Sequence, residues 1–304
     1  VRQYVKLFEQ FILESGNSIE NAVPFQQNQV QPTVDWIVKN IFPQIGLVGI
    51  GDDAAVIGSA DDAAVIGSAG KKLPEATSGD IDIAVSADKI AGFLGVSLEN
   101  SLTALDEKLM SLGYSTLMQK GFQQVSIGVP VAGDSANGIG QVDLMMSIDL
   151  EWSKFIYHSP DFRAGESQYK GAYRNILLMA AIGNCFYEIT KQTGKGETAE
   201  YKAYVIRLNQ GVVQVRKSFE GARGLKKNAD LLRAFDKEIT RVPQEIVELL
   251  FNGGHKVDEI MTYESLRGLI DGGDFKFPDK REDIMTEFKQ KLTDAKLPFP
   301  SDLA

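Results

Sequence analysis

Residues Gly79–Ser86 read GDIDIAVS, and this octapeptide constrains the fold more than any other part of the chain. Residues two apart on a strand point to the same face. Asp80 and Asp82 therefore stand side by side, about 6–7 Å apart at Cα, while Ile81 and Ile83 point into a core on the other side. Two adjacent carboxylates repel unless a cation lies between them. The natural filler is a hard divalent ion, and Mg²⁺ takes carboxylate oxygens together with substrate phosphates. Upstream, Gly67-Ser68 forms a turn whose backbone N–H groups and hydroxyl are suited to cradling a phosphate tail. Two-metal phosphoryl transfer calls for a further carboxylate. Asp143 is the best candidate, a lone acid between Val142 and Leu144, costly there unless it faces a metal, a partner or solvent. Asp149 shares its parity, but it lies at the strand end, where solvated acids are common.

The segment before this strand contains a duplication. Asp52–Ala60 and Asp61–Ala69 both read DDAAVIGSA. Two identical copies are not a solenoid, which needs several diverged repeats of longer period. Nine is odd, so one uninterrupted strand through both copies would turn equivalent residues to opposite faces. Only one copy can occupy a given sheet position, and the other is expected in a loop, an edge extension or an added helical turn.

Apolar periodicity predicts a helix over residues 1–14, a polar loop over 15–31, and a second helix opening at Pro32-Thr33 and ending at Phe42-Pro43. Further on, Ala91–Leu112 reads as a helix. Val125–Val131 and Gln141–Ile148 read as strands of a hairpin around the Gly133–Gly140 turn. Gln168–Ile189 is the clearest helix, Lys191–Glu200 a linker, residues 201–215 strand-like, and 225–251 and 282–296 amphipathic helices. The fold class expected is α+β: a small mixed sheet flanked by helices, followed by a mainly helical C-terminal region. The segments are 1–32 (helix and polar loop), 33–150 (catalytic domain), 151–195 (helical continuation of its core) and 196–304 (C-terminal region).

Gly67-Ser68, eleven intervening residues, Asp80-Ile81-Asp82 and a later strand acid at Asp143 together resemble the DNA polymerase β-like nucleotidyltransferase superfamily over roughly residues 33–185. The resemblance implies that Asp80 and Asp82 bind two Mg²⁺ ions, with Mn²⁺ as an alternative. Asp143 would complete the catalytic metal site and help deprotonate the attacking hydroxyl. Gly67 and Ser68 would hold the β- and γ-phosphates of a nucleoside triphosphate. The reaction would move a nucleoside monophosphate to an acceptor hydroxyl on an RNA end, a small molecule or a protein, and release pyrophosphate. The spacing assigns the motif to the second repeat copy, because 20 residues separate Ser59 from Asp80. A helix after the third acid would contribute Ser167, Lys170 and Arg174 to the triphosphate, with Lys170 and Arg174 four apart on one face. Lys71 and Lys72 offer a phosphate contact or a solvated loop. Gly79 stands where the superfamily often has Ser.

Other residues read more plainly. His158 suits a structural hydrogen bond. Trp152, Phe155 and Tyr157 suit a core better than a base-stacking platform, Cys185 suits an inert core thiol, and Gly51-Asp52-Asp53 is a coincidental match to the GDD of RNA-dependent polymerases. The chain carries 32 Lys+Arg against 41 Asp+Glu, a formal charge of −9, which excludes blanket binding of duplex nucleic acid. Arg216–Arg241 runs against that balance, with eight basic and four acidic residues, and could hold RNA or another acceptor or be a solvated helix face. One cysteine, no membrane-length apolar run, and no signal-peptide pattern in residues 1–30 lead to the expectation of a cytoplasmic protein without membrane contact. The alternative is a catalytically inert structural or interaction protein that keeps the fold.

Overall fold

The computed structural model describes residues 19–47, 63–192, 198–220 and 230–303. The helix expected over 1–14, the first repeat copy Asp52–Ala60 and the Gly51-Asp52-Asp53 match lie outside the described residues, as does part of the expected linker. The chain divides into two compact units at Gly171/Ala172.

In the N-terminal unit the first helix, α1, spans Gln27–Asn40. It opens five residues before Pro32, inside what the sequence suggests is a polar loop. The Gln-rich stretch has adequate helix propensity, and the Gln29 side chain accepts the Gln26 N–H at 2.9 Å, capping the start. Strands follow at β1 (Ala63–Ile66) and β2 (Asp80–Ser86). Ser86 ends β2 and accepts the Lys89 N–H at 3.4 Å, so the strand passes directly into α2 (Ala87–Leu94). The single helix expected over Ala91–Leu112 is two. Gly95, at φ +67°, stops α2, and α3 begins again at Ser101–Ser111. Next come β3 (Thr116–Gln119), β4 (Gln124–Pro130), β5 (Ile139–Ser147) and α4 (Leu150–Ile156). The expected hairpin is present, with β4 antiparallel to β5.

Sheet order is β1-β2-β5-β4-β3. Only β2 and β5 run parallel; the other pairs are antiparallel. One face is apolar throughout: Ile81, Ile83, Val85, Val125, Ile127, Val142 and Leu144 pack with Val34 and Ile37 of α1, Ile90 of α2 and Leu105 of α3. Burial of this face stabilises the unit by roughly 25 cal/mol per Å² of apolar surface removed from water. The other face has a smaller apolar cluster of Ala64, Ile66, Ala84 and Met145. The remaining positions of that face are left for polar groups.

In the C-terminal unit, α5 (Gly171–Cys185) leads into β6 (Tyr187–Gln192), β7 (Thr198–Arg207), β8 (Gly211–Glu220) and β9 (Asp230–Thr240). These form an antiparallel sheet in the order β9-β8-β7-β6. Three short helices follow: α6 (Pro243–Leu250), α7 (Tyr263–Asp271) and α8 (Arg281–Asp294). The mainly helical C-terminal region is thus corrected to mixed α and β, and the helical continuation over 151–195 ends in a strand. The helix expected over 225–251 is strand β9, then α6. Pro243 stands at the first position of α6, where its missing N–H is harmless, whereas it would interrupt a helix running through it. Pairing of β9 along β8 then overrides a weak helical preference. Overall the molecule is α+β. Among the described residues no helix is long and apolar enough to cross a membrane.

Candidate metal centre

The polar face of the five-stranded sheet carries the site. Parallel pairing sets Asp82 opposite Asp143 and Asp80 opposite Gln141, while β4 sets Ser126 opposite Asp143. Strand alternation turns all of these to the same side. The carboxylates of Asp80, Asp82 and Asp143 converge, with one oxygen from each lying within 4.8 Å of the others.

Burial acts on all three, and repulsion from neighbouring acids acts on Asp82 and Asp143. Burial raises the Asp80 carboxyl above its usual range, with Lys72 opposing. Asp82 is raised well above that range by burial and then by the charges of Asp80 and Asp143. Asp143, 1% exposed, is pushed up to about 6 by burial and by Asp80, against hydrogen bonds from Ser126, Gln141 and Gln124. Asp80 Oδ2 and Asp82 Oδ1 are fully buried and have no hydrogen-bond partner among the described residues. Buried carboxylate oxygens without donors are expensive. Two such oxygens beside the Asp143 carboxylate, in a cluster of three carboxylates with no His or Cys, match what a hard divalent cation requires. The Asp80-Asp82-Asp143 cluster can hold a metal ion. Asp149 does not compete for that role: its Oδ1 accepts the Trp152 N–H at 3.0 Å and caps α4.

Gly67 follows β1 and sits against the acids. Its φ is +70°, and a Cβ there would lie 2.5 Å from Asp82 Oδ2, so glycine is required twice over, by conformation and by space. Its N–H donates to the Tyr157 carbonyl at 3.1 Å. Ser68 is half-exposed beside it, with its carbonyl accepting the Lys71 N–H at 3.2 Å. Burial and the charge of Asp82 hold the Tyr157 phenol above its ordinary range.

The basic residues separate into different roles. Lys71 Nζ donates to the Ser159 carbonyl at 3.0 Å, and its backbone carbonyl accepts the Phe162 N–H at 2.9 Å. It thereby ties the Gly67-Ser68 turn to the segment after α4. Burial lowers its pKa, and the acids that act on it are Glu166 and Asp161. Lys72 is the lysine that the fields of Asp80 and Asp82 reach. Burial and then Lys170 lower its pKa, while the two acids raise it. Lys170 is exposed. Ser167 closes a local turn, donating to the Tyr169 carbonyl at 3.1 Å and accepting its N–H at 2.9 Å.

Arg174 corrects the expectation for it. It is 0% exposed, and its guanidinium donates to the Ile260 carbonyl at 2.9 Å and to Asn175 Oδ1 at 2.7 Å. A guanidinium enclosed in the C-terminal unit and bonded there has no face to offer a triphosphate. Burial lowers its pKa to about 9. The shared face with Lys170 does not arise either, because α5 begins at Gly171.

Arg216–Arg241 is not a helix face. Its described parts belong to β8, β9 and the turn after them, where Arg241 pairs with Glu238 at 2.6 Å and Asp236 with Arg207 at 2.5 Å. Trp152 and Phe155 are core, as expected, with ring centroids 5.6 Å apart.

Gln124, Ser126 and Gln141 around Asp143 escaped the sequence reading, although a signal exists. Polar residues recur at period two on strands that are otherwise apolar, as Gln124-x-Ser126 and Gln141-x-Asp143. The chain matches no protein-family model, no curated protein and no solved structure.

Proposed function

We propose that the N-terminal unit is a metal-dependent nucleotidyltransferase of the DNA polymerase β-like kind, moving a nucleoside monophosphate from a nucleoside triphosphate to an acceptor hydroxyl. One observation carries this reading: three buried carboxylates converge on one sheet face directly against a positive-φ Gly-Ser turn. Such a site presents acids for Mg²⁺ or Mn²⁺ and, next to them, N–H and hydroxyl groups for phosphate.

Asp80, Asp82 and Asp143 would hold the ion. When bound, it supplies positive charge against the charge that develops on the phosphoryl oxygens. Ser68 binds the triphosphate tail with its N–H and hydroxyl, Gly67 shapes the turn with its N–H held by the Tyr157 carbonyl, and Lys72 with Lys170 brings positive charge to the same mouth. Asp143 takes the proton of the acceptor hydroxyl as its oxygen bonds to the α-phosphorus. The bond from that phosphorus to the β-phosphate bridging oxygen breaks, and pyrophosphate leaves with the electron pair. Lys71 keeps the turn in place.

The test is incubation of the full chain with each labelled nucleoside triphosphate, Mg²⁺ or Mn²⁺, and pooled RNA, protein and small hydroxylated acceptors. Label transfer and pyrophosphate release are expected from the wild-type chain and not from Asp80→Ala/Asp82→Ala. If the wild-type chain neither transfers label nor binds any triphosphate, the fold serves an inert interaction protein instead.

A further inference from the structure

Asp143 is the most enclosed acid of the centre, and its surroundings are unusually ordered. Gln141, also 1% exposed, stands two residues before it on the same face of β5. Its Oε1 accepts the Ile19 backbone N–H at 3.1 Å, and its Nε2 donates to Asp143 Oδ1 at 3.0 Å. The direction of the amide is therefore fixed. With the oxygen taken by an N–H, only the NH₂ end can face the carboxylate. From β4, Ser126 and Gln124 also bond to Asp143, and Gln124 Nε2 donates to Ser126 Oγ at 3.2 Å. All three donors are neutral. They orient the carboxylate without cancelling its charge, whereas Lys or Arg in their place would supply the cation themselves. Among the described residues Asp80 and Asp82 have no such side-chain support: each keeps a buried oxygen without a partner. One ligand is held in advance, and two are left for the ion to organise.

We infer that Gln141 is a positioning residue for the metal centre, aiming the Asp143 carboxylate at the cation through a relay that begins at the Ile19 N–H. The inference rests on the cation site of the proposed function. Partners that orient a ligating carboxylate typically change metal affinity by 10–100-fold.

The test is Mn²⁺ titration of the full chain, followed by electron paramagnetic resonance of the free ion. It compares the wild type, Gln141→Leu, Asp143→Asn and the double variant. Gln141→Leu is expected to weaken Mn²⁺ binding about 10–100-fold. In the Asp143→Asn background the same change is expected to weaken it less than about 2-fold, because a residue acting through Asp143 has nothing left to act on. A merely structural role for Gln141 would weaken both backgrounds equally. That result, or wild-type affinity in Gln141→Leu, overturns the inference while leaving the centre intact. Absence of Mn²⁺ binding by the wild-type chain, or indifference of binding to Asp143→Asn, removes the centre and the proposed function together. Should Gln141→Leu not fold, the side-chain NH₂ resonances of Gln141 in the folded wild-type chain carry the test. They are expected to shift on addition of Mg²⁺ and to stay in place in Asp143→Asn. A wild-type chain that binds the ion without moving them refutes the relay.

Discussion

Each unit of this protein buries a charge, and the two are treated in opposite ways. Arg174 in the C-terminal unit is 0% exposed and is met by a carbonyl and a side-chain amide oxygen of its own chain. Asp143 in the N-terminal unit is 1% exposed and is likewise met by neutral donors, yet it lies beside two more acids, each with a buried oxygen that no described residue satisfies. A buried charge whose bonds close within the chain is a structural element. Buried charges of one sign left open to each other are arranged for something from outside. Desolvation lowers the pKa of Arg174 and raises those of the acids. The same physics therefore acts on both, and the partners make the difference.

The sharpest way to break this contrast is to neutralise the open charges. Asp82→Asn is expected to lower the proposed nucleotidyl transfer by at least about 10⁴-fold while raising the melting temperature of the metal-free protein by several degrees, because it removes a repelling buried charge. Calorimetry in a chelator, beside the transfer assay, checks both halves. A fall in melting temperature would mean that Asp82 has a structural partner after all.

Arg174→Ala tests the closed charge. It leaves the Ile260 carbonyl without its donor and opens a cavity, so a loss of about 3–5 kcal/mol is expected in urea denaturation. Arg174→Lys is expected to destabilise less and to leave the KM for triphosphate within about 2-fold. A tenfold rise in KM at unchanged stability would restore Arg174 to the nucleotide.

A third effect is the pH dependence of stability without metal. Asp143 keeps its proton up to about pH 6, against an ordinary value of 3.8. Between those limits the native state holds more protons than the unfolded chain, so its stability falls as pH rises through the window, by on the order of 3 kcal/mol. Asp80 and Asp82, also raised, act in the same direction. The slope is read as the wild-type melting temperature minus that of Asp143→Asn from pH 4 to 7 in a chelator. A difference that does not change with pH contradicts it, and saturating Mn²⁺ is expected to flatten it, since binding displaces the protons.

The smallest effect belongs to Gly67→Ala. Adopting φ +70° with a Cβ costs roughly 1–2 kcal/mol, and the methyl group would press on Asp82. Mn²⁺ affinity is expected to fall further than stability does, and an unchanged affinity would separate the turn from the centre.

Much of the N-terminal site was legible because it rests on local alternation. The DIDI pattern allows one geometry on a strand, and Asp143 stands out as an acid within an apolar run. The β4–β5 hairpin follows from its turn. Lys71 and Lys72 could not be told apart, because adjacent loop residues have no fixed phase, and only packing sent one ammonium to Ser159 and left the other in reach of the acids. The support around Asp143 joins Gln141 to Ile19, 122 positions away, and spacing carries no trace of a contact at that distance. The local charge pattern of β9 suits helix or strand equally, and pairing with β8 makes the choice.

By itself, then, the sequence determined which residues could form a carboxylate centre, since period-two alternation and the φ of a glycine are properties of neighbouring residues. The tertiary structure alone decided that Asp82 and Asp143 stand in register across a parallel pair, that neutral side chains hold one acid while two keep open oxygens, and that Arg174 is enclosed within the C-terminal unit. Register, desolvation and partnering arise between segments far apart in the chain, and no local pattern encodes them.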